Sequence, residues 1–359
     1  MEEKQKAFGK KVSDFRDLIK HSDPIIALAP MADVTDAAFR QMFALYGPPD
    51  LFWTEFVSAD GLFLAPEQGR KFWLPDSLRK TAVDFGIAPD NPLLKDLIFS
   101  ENERPIIAQF FSRDPERMEK SAALAVALGF DGIDINMGCP AKVIVRQGAG
   151  CALIKEPDVA REIIRAASQG TAGKIPVSVK TRTGFNNDSE MENWLSELLQ
   201  EDISLLTVHA RTRSNMSKVP ARWENISQAV RLRDSLQSSA LLFGNGDVTS
   251  CVQALEKALE TGADGIMIGR GIFGNPWLFN KDVKKEELPS EDILRALQDH
   301  IKLFDRLLGD TKNFYLMKKH FKSYLSGLND IKTFRQQLVD SENAIQALHF
   351  IDQRLAVMI

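Results

Sequence analysis

Cysteine is scarce in this sequence, because the 359 residues include only Cys139, Cys151 and Cys251. No two of them form a CxxC pair, which disfavours both a disulfide scaffold and a structural zinc site. The histidines are too dispersed to form a ligand set by spacing, so we expect no metal. Any cysteine chemistry must therefore depend on a single thiol.

Long hydrophobic runs are also missing. The longest candidate, residues 25–32, falls far short of the roughly 18 unbroken apolar residues that a membrane span needs. The first residues of the chain mix acids and bases without an apolar core, which does not match a secretory signal. We therefore expect no contact with a membrane, and a cytoplasmic location.

Neither sign of charge dominates, since 45 Lys and Arg oppose 49 Asp and Glu, for a net charge of −4. This balance argues weakly against a protein that coats nucleic acid, but a local basic patch can exist within it. Residues 311–335, called here the basic segment, hold six basic side chains and one acidic one, a local charge of +5.

Short apolar, β-branched segments recur from residue 24 to residue 280, with loops and helical stretches between them. They are residues 24–29, 50–54, 105–110, 132–136, 175–181, 203–208, 240–244 and 263–268. Near-continuous apolar strands joined by helices predict parallel strands that are buried on both faces. Their number and spacing predict an α/β fold, a (β/α)8 TIM barrel, with an open doubly wound sheet as the alternative.

Three segments lie outside this repeat. Residues 1–23 are an N-terminal extension, and residues 57–104 are an insertion that is longer than one helix requires. After about residue 280 the strand pattern ends and apolar residues recur at helical spacing. We expect residues 281–359 to form an all-helical C-terminal domain that contains the basic segment.

Polar residues collect at the predicted C-terminal ends of the strands, the rim where a barrel carries its reacting groups. The loops FGNGDVTS and MIGRGIFG follow strands seven and eight and indicate a phosphate-binding corner, although their glycines could serve tight turns alone. Lys180 and Arg182 share a face of strand five by the period of two, and His209 and Arg211 lie beyond strand six. Converging cations would suit a flavin, although each one could instead pair with a carboxylate.

Cys139 follows the fourth strand by three residues, within the sequence NMGCP. A thiol with an ordinary pKa of about 8.5 is mostly protonated at neutral pH and can act as a general acid. Buried cysteines are usually packing residues, and we interpret Cys151 and Cys251 in that way. The position of Cys139 on the rim favours a catalytic role for this thiol instead.

Taken together, these motifs resemble one family, the flavin-dependent tRNA-dihydrouridine synthases of bacterial type. The segment IDINMGCPAKVIVRQGAGC, residues 133–151, is similar to the hallmark of that family. It is accompanied, in family order, by LAPMADVTD, TEFVSADGL, VSVKTRTG, VHARTR, GNGD and IGRG. The sequence departs from the family where Val143, and not a second lysine, follows Lys142, and in the long insertion.

The resemblance implies an FMN-binding barrel, a helical domain that binds tRNA, and NADPH as reductant. It implies that Cys139 donates the proton when the C5=C6 bond of specific tRNA uridines is reduced to 5,6-dihydrouridine. The implied cofactor contacts are Pro30, Met31, Ala32, Gln109, Lys180, His209, Asn245, Gly246, Asp247, Gly269 and Arg270. The implied substrate contacts are Asn136, Arg182, Lys318, Lys319 and Lys322. We also expect a monomer.

Two other functions fit part of the pattern. A flavin-dependent reductase or dehydrogenase of free pyrimidines would use the same rim residues but would leave the basic segment unexplained. A non-catalytic RNA-binding protein would explain the basic segment but not the density of polar residues on the rim. Reductant-dependent gain of hydrogen in tRNA uridines, seen by mass spectrometry, separates these functions.

Overall fold

The computed structural model of the chain describes residues 14–19, 24–328 and 331–358. Within these ranges, eight parallel strands form one sheet in the order β1-β8-β7-β6-β5-β4-β3-β2. They are β1 (Ile25–Leu28), β2 (Phe52–Ser58), β3 (Ile106–Phe111), β4 (Gly132–Asn136), β5 (Val177–Arg182), β6 (Leu205–His209), β7 (Leu241–Asn245) and β8 (Gly265–Ile268).

The sheet closes on itself. A parallel bridge pairs Ala27 of β1 with Leu51, and the N–H of Leu28 donates to the carbonyl of Leu51 at 3.1 Å. Closure of this kind leaves no open edge, as a barrel requires. The predicted TIM barrel is confirmed, and the alternative of an open doubly wound sheet is wrong.

Helices surround the barrel and begin at residues whose side chains accept hydrogen bonds from free N–H groups, as N-caps do. Asp114 accepts from Glu116 and Arg117 at one such start, and Ser250 accepts from Gln253 at another. The helices are α1 (Ala37–Tyr46), α2 (Ala59–Leu64), α3 (Asp76–Asp84), α4 (Pro115–Leu128), α5 (Lys142–Arg146), α6 (Pro157–Thr171), α7 (Met191–Leu199), α8 (Glu224–Ser235) and α9 (Cys251–Thr261).

Strand β2 is longer than the sequence indicates. The prediction ended the strand at residue 54, yet Glu55 is buried and the strand continues to Ser58. Val57 and Ser58, which we had assigned to the insertion, therefore belong to the sheet. The rest of residues 57–104 contains α2, α3 and short 3-10 turns at Pro92–Leu97 and Glu101–Glu103.

The N-terminal end of the barrel is filled by apolar side chains. Phe15, in the 3-10 turn Phe15–Asp17, is fully buried and packs with Trp53, Ile107, Phe243 and other interior residues. Its ring lies against the start of β4. The remainder of the predicted N-terminal extension, residues 1–13 and 20–23, lies outside the described residues.

The C-terminal region is helical and shares its core with the barrel. Its helices are α10 (Ser290–Leu308), α11 (Lys318–Tyr324), α12 (Lys332–Asp340) and α13 (Ala344–Ala356). Phe304 and Phe321 are buried in the same apolar cluster as Phe39 of α1. The hydroxyl of Tyr46 donates to Asp299 at 2.8 Å across this junction. The helical region is therefore packed firmly against the barrel.

Two kinds of feature are missing from the described ranges. No helix there is long and apolar enough to cross a bilayer. No group of three or more His, Cys, Asp or Glu side chains in the same ranges could hold a metal ion. All three cysteines are free thiols.

Candidate active site

A cavity of about 600 Å³ opens at the C-terminal ends of the strands. This volume lies within the range of roughly 300–1,000 Å³ that cofactor and small-molecule sites occupy. Most of the predicted site residues line it, namely Pro30, Met31, Asn136, Cys139, Lys180, Arg182, His209, Asn245, Gly246, Asp247, Gly269 and Arg270. Residues that are distant in sequence therefore meet in one hollow.

Five predicted residues lie elsewhere. Ala32 is exposed, and Gln109 is fully buried next to Asn136. Lys318, Lys319 and Lys322 belong to α11. Lys322 lines a neighbouring groove that shares residues of the β7 and β8 loops with the cavity, so α11 lies beside the opening.

The glycine-rich loops after β7 and β8 approach each other closely. Gly246 has a φ of 140°, which favours glycine, and an added Cβ would lie 2.7 Å from Ala221 Cβ. At Gly271, an added Cβ would lie 2.6 Å from Thr249 Cα. The exposed guanidinium of Arg270 stands at the same corner. These glycine-rich loops and Arg270, which also pairs with Asp247, border the cavity at a corner suited to an anionic ligand.

Lys180 projects into the cavity from β5. Its ammonium donates to Asn245 Oδ1 at 3.1 Å, while Asn245 Nδ2 donates to the carbonyl of Met267 at 2.7 Å. Burial, together with the nearby Arg182, lowers the pKa of Lys180 to about 8. The lysine is still mostly charged at pH 7, and a negative ligand group beside it would be stabilised.

His209 is held as a neutral imidazole. Arg211 contacts its Nε2 at 3.1 Å, and because a guanidinium can only donate, Nε2 must accept and Nδ1 carries the proton. Burial and the cations of Arg182 and Lys180 hold the pKa of His209 well below its usual range. Arg211 also donates to Asp247, which accepts a second bond from Arg270 at 2.7 Å.

Cys139 lies in a loop that is fixed by hydrogen bonds. Its N–H donates to Asn136 Oδ1 at 2.9 Å, and Arg182 Nε donates to the carbonyl of Gly138 at 2.8 Å. Arg182 also donates to the carbonyl of Thr212 at 3.3 Å. Burial raises the pKa of the Cys139 thiol above its ordinary value. The thiol is therefore protonated at neutral pH, as a proton donor must be.

A chain of side-chain hydrogen bonds lies beneath this loop. Gln109 Nε2 donates to the buried carboxylate of Asp134, and Asn136 Nδ2 donates to Gln109 Oε1 at 3.0 Å. Asn136 Oδ1 then accepts from the N–H groups of Gly138 and Cys139, at 3.1 and 2.9 Å. A fully buried carboxylate is thereby connected to the backbone of the cysteine.

One member of the basic segment is not free to bind a ligand. Lys312 is mostly buried, and its ammonium binds Glu55 Oε2 and lies 3.2 Å from Asp96 Oδ1. Glu55 Oε1 accepts from the N–H of Asp33 in the loop after β1. Lys312 therefore fastens the helical region to the barrel rim, and the other cations of the segment remain as candidates for contact with RNA.

Several cavity residues were not assigned from the sequence. They are Ala29, Phe56, Gly138, Pro140, Arg211, Met216, Ser217, Val248, Thr249 and Gly271. Arg211 was expected among the cations that converge beyond strand six, although it was given no role, and it lines the cavity. Met216 and Ser217 belong to a long loop whose sequence carries no recognisable pattern.

Comparison with known proteins agrees with this geometry. The profile of the family described as Dihydrouridine synthase (Dus) matches residues 27–358. A probable tRNA-dihydrouridine synthase of Staphylococcus aureus (strain COL) is 38% identical over 336 residues, which cover 93% of this chain and 94% of that protein. The probable tRNA-dihydrouridine synthase 2 of Bacillus subtilis (strain 168) is 38% identical over 330 residues, or 92% and 93% of the two chains.

Solved structures share the fold at low sequence identity. Histamine dehydrogenase from Rhizobium sp. 4-9 has a TM-score of 0.51 at 11% identity, and the match covers 77% of this chain and 48% of that one. A 2-naphthoyl-CoA reductase has a TM-score of 0.50 at 11% identity, with 71% and 49% covered. The profile match and the curated relatives span nearly all of the sequence. This chain belongs to the dihydrouridine synthase family and is an oxidoreductase.

Proposed function

We propose that this chain is a tRNA-dihydrouridine synthase that uses FMN and NADPH to reduce the C5=C6 bond of specific tRNA uridines. The observation that carries the proposal is the placement of Cys139. Its protonated thiol borders a cavity that also holds Lys180, Arg182 and the glycine-rich corner. The proposal includes a cytoplasmic location, because tRNA substrates are found there. It also includes a monomeric state.

The residues around the cavity fit FMN. The glycine-rich loops and Arg270 would hold its phosphate, while Lys180 and Asn245 would face the polar edge of the ring. Pro30 and Met31 form part of the wall. When bound and reduced, FMN would supply the hydride for uridine C6, and NADPH would return the oxidised flavin to its reduced form. The ammonium of Lys180 would offset negative charge on the reduced ring.

The remaining chemistry belongs to the protein. Cys139 Sγ carries a proton that C5 of the uracil requires, and general-acid help of this kind accelerates reactions by roughly 10²–10⁴. The N–H of Cys139 already binds Asn136 and the carbonyl of Gly138 already binds Arg182, so the loop needs little rearrangement to present the thiol to a base. The side chains of Asn136 and Arg182 border the space beside the thiol, where the base would lie.

RNA must be held while one base leaves its stack, which costs a few kcal/mol. Lys318, Lys319 and Lys322 of α11 would offset this cost through contacts with phosphates. Tyr315 is 70% exposed and adds an aromatic surface, and its ring centroid lies 5.7 Å from Lys318 Nζ. Cations next to an exposed ring favour a single-stranded or distorted RNA segment.

The deciding experiment compares Cys139→Ala with Cys251→Ala. Each variant is incubated with unmodified tRNA and NADPH, and bound flavin and dihydrouridine are quantified by absorbance and nucleoside mass spectrometry. We expect Cys139→Ala to keep its flavin and to lose at least about a hundredfold in rate, whereas Cys251→Ala stays active. Normal turnover by Cys139→Ala would contradict the role of this thiol.

The same assay distinguishes the alternatives. Turnover of free uridine in place of tRNA would indicate a reductase of free pyrimidines, and bound flavin without any product would indicate an RNA-binding protein. Point variants are needed here, and not removal of the helical region. Truncation would expose Phe39, whose ring packs against His300 of α10 and His320 of α11.

A further inference from the structure

We propose that Asp134 is a positioning residue for Cys139. Asp134 fixes the orientation of the Gln109 side-chain amide, and Gln109 fixes the orientation of the Asn136 amide. Asn136 in turn holds the backbone of the NMGCP loop. This inference rests on the proposed function, because it concerns the thiol that donates the proton there.

The side chains that form these hydrogen bonds are shielded from solvent. Asp134 and Gln109 are fully buried, and Asn136 is 6% exposed. Ser178 Oγ donates to the other carboxylate oxygen of Asp134 at 2.5 Å, so both oxygens are occupied. Without water to replace a lost partner, each polar atom depends on its neighbour in the protein.

The direction of the bonds follows from what each group can do. An ionised carboxylate only accepts, so it draws the NH₂ of Gln109 and leaves Oε1 facing Asn136. Asn136 must then present its own NH₂ to Gln109, which directs Oδ1 at the backbone N–H groups of Gly138 and Cys139. Each amide has two ends of nearly equal shape, and the carboxylate decides which end faces which neighbour.

The consequence for Cys139 is positional. Its N–H is held by Asn136, and its carbonyl accepts from the N–H of Cys151 at 3.1 Å, so the residue is fixed from both sides. A turned Asn136 amide would present NH₂ to two N–H donors and would release the loop. The thiol would then be found over a wider range of positions relative to the substrate.

The test uses three variants and one control. Asp134→Asn removes the charge at constant shape, and Gln109→Glu places a second carboxylate beside the first. The double variant moves the carboxylate one link along, where it accepts from the new side-chain amide at position 134 and from Asn136. The orientation of Asn136 is thereby preserved. Ser178→Ala is the matched control, because it removes a partner of Asp134 that lies outside the chain leading to Cys139.

Two measurements are made on each flavin-loaded protein. The first is the rate at which iodoacetamide alkylates Cys139, with Cys251 of the same molecule as internal reference, read by peptide mass spectrometry. The second is kcat and KM for tRNA reduction, per bound flavin. We expect Asp134→Asn to raise the alkylation rate and to lower kcat, each about tenfold, with KM unchanged. Ser178→Ala should stay within about twofold of the parent.

Recovery by the double variant is the critical result. A positioning role requires Asp134→Asn/Gln109→Glu to return towards the parent in both measurements, whereas a merely structural role makes the two changes cumulative. Cumulative losses, or unchanged Cys139 reactivity in Asp134→Asn, would overturn the proposal. If Asp134→Asn does not fold, the double variant still distinguishes a positioning role from a structural one, because it retains one carboxylate. A parent protein that forms no dihydrouridine would refute the proposed function instead, since alkylation requires no RNA.

Discussion

Replacing Lys312 with methionine removes a buried charge while keeping most of the side chain. The ammonium lies between Glu55 and Asp96, and the three side chains are only 14%, 5% and 17% exposed. Although burial lowers it, the carboxylates of Asp96 and Glu55 raise the pKa of Lys312 above its usual range. The variant leaves these carboxylates buried without a counter-charge.

The cost follows from desolvation. Removing one partner of a buried ion pair typically destabilises a protein by about 3–5 kcal/mol, because the remaining charge stays uncompensated. A surface pair contributes about 0–1 kcal/mol. Because Lys312, Glu55 and Asp96 have low exposure, they behave as a buried ion pair and not as a surface pair. We expect a loss of about 3 kcal/mol or more in the free energy of unfolding at pH 8.5.

The loss should depend on pH with a definite sign. Burial raises the pKa of Glu55, with Asp96 adding to the rise, and burial raises the pKa of Asp36 to about 6. Without Lys312 these carboxyls bind protons more tightly when folded than when unfolded. Their protonation therefore stabilises the fold at low pH, and this stabilisation is lost as the pH rises through the raised pKa values. The gap between variant and parent should be smaller at pH 5.5 than at pH 8.5.

Urea unfolding followed by circular dichroism at both pH values measures this gap. Lys284→Met is the control, since Lys284 pairs with Glu287 on the surface, where the two side chains are 73% and 69% exposed. The control should unfold at the same urea concentration as the parent. Equal midpoints for Lys312→Met and the parent at pH 8.5 would refute the reasoning, because the lysine would then not compensate buried charge.

Three further predictions concern the cavity and the basic segment. Gly271→Ala should weaken FMN binding more than riboflavin binding, measured by fluorescence titration, because the added Cβ would lie 2.6 Å from Thr249 Cα and part the phosphate-binding loops. Equal losses for both ligands would contradict this. Alkylation of Cys139 should reach half its maximal rate at a pH above the ordinary thiol pKa of about 8.5, since burial raises the thiol pKa; a midpoint at or below this value would argue against this. Lys322→Ala should lower the slope of log Kd for tRNA against log salt by about one, and an unchanged slope would exclude a phosphate contact.

The order of strands and most of the rim residues can be read from the sequence because both depend on local pattern. Segment 132–136 matches β4 at both ends, since its apolar residues carry the strand and a glycine-rich turn follows. Residues at the ends of neighbouring strands meet by the geometry of the barrel. For that reason the sequence predicts that Asn136, Lys180 and His209 lie together, and all three line the cavity.

Pairing between distant charges has no such local pattern. Lys312 was counted in the +5 charge of the basic segment, yet its partner Glu55 lies 257 residues earlier in the chain. The same pairing compensates the charge of Glu55, which is buried within β2 beyond the predicted end of the strand. Gln109 was predicted as a cofactor contact from resemblance, and only the structure reveals that both ends of its amide already have partners.

The filled base of the barrel has a kinetic consequence. Within the described residues, Phe15 and Trp53 fill the end of the barrel opposite the cavity, so a flavin held in the cavity would be reached from the rim. A dinucleotide reductant and a nucleobase would thus compete for the same opening of the cavity. The reductant would have to dissociate before the nucleobase binds. If the proposed function is correct, reduction of the flavin and reduction of the RNA would therefore be successive binding events at one opening.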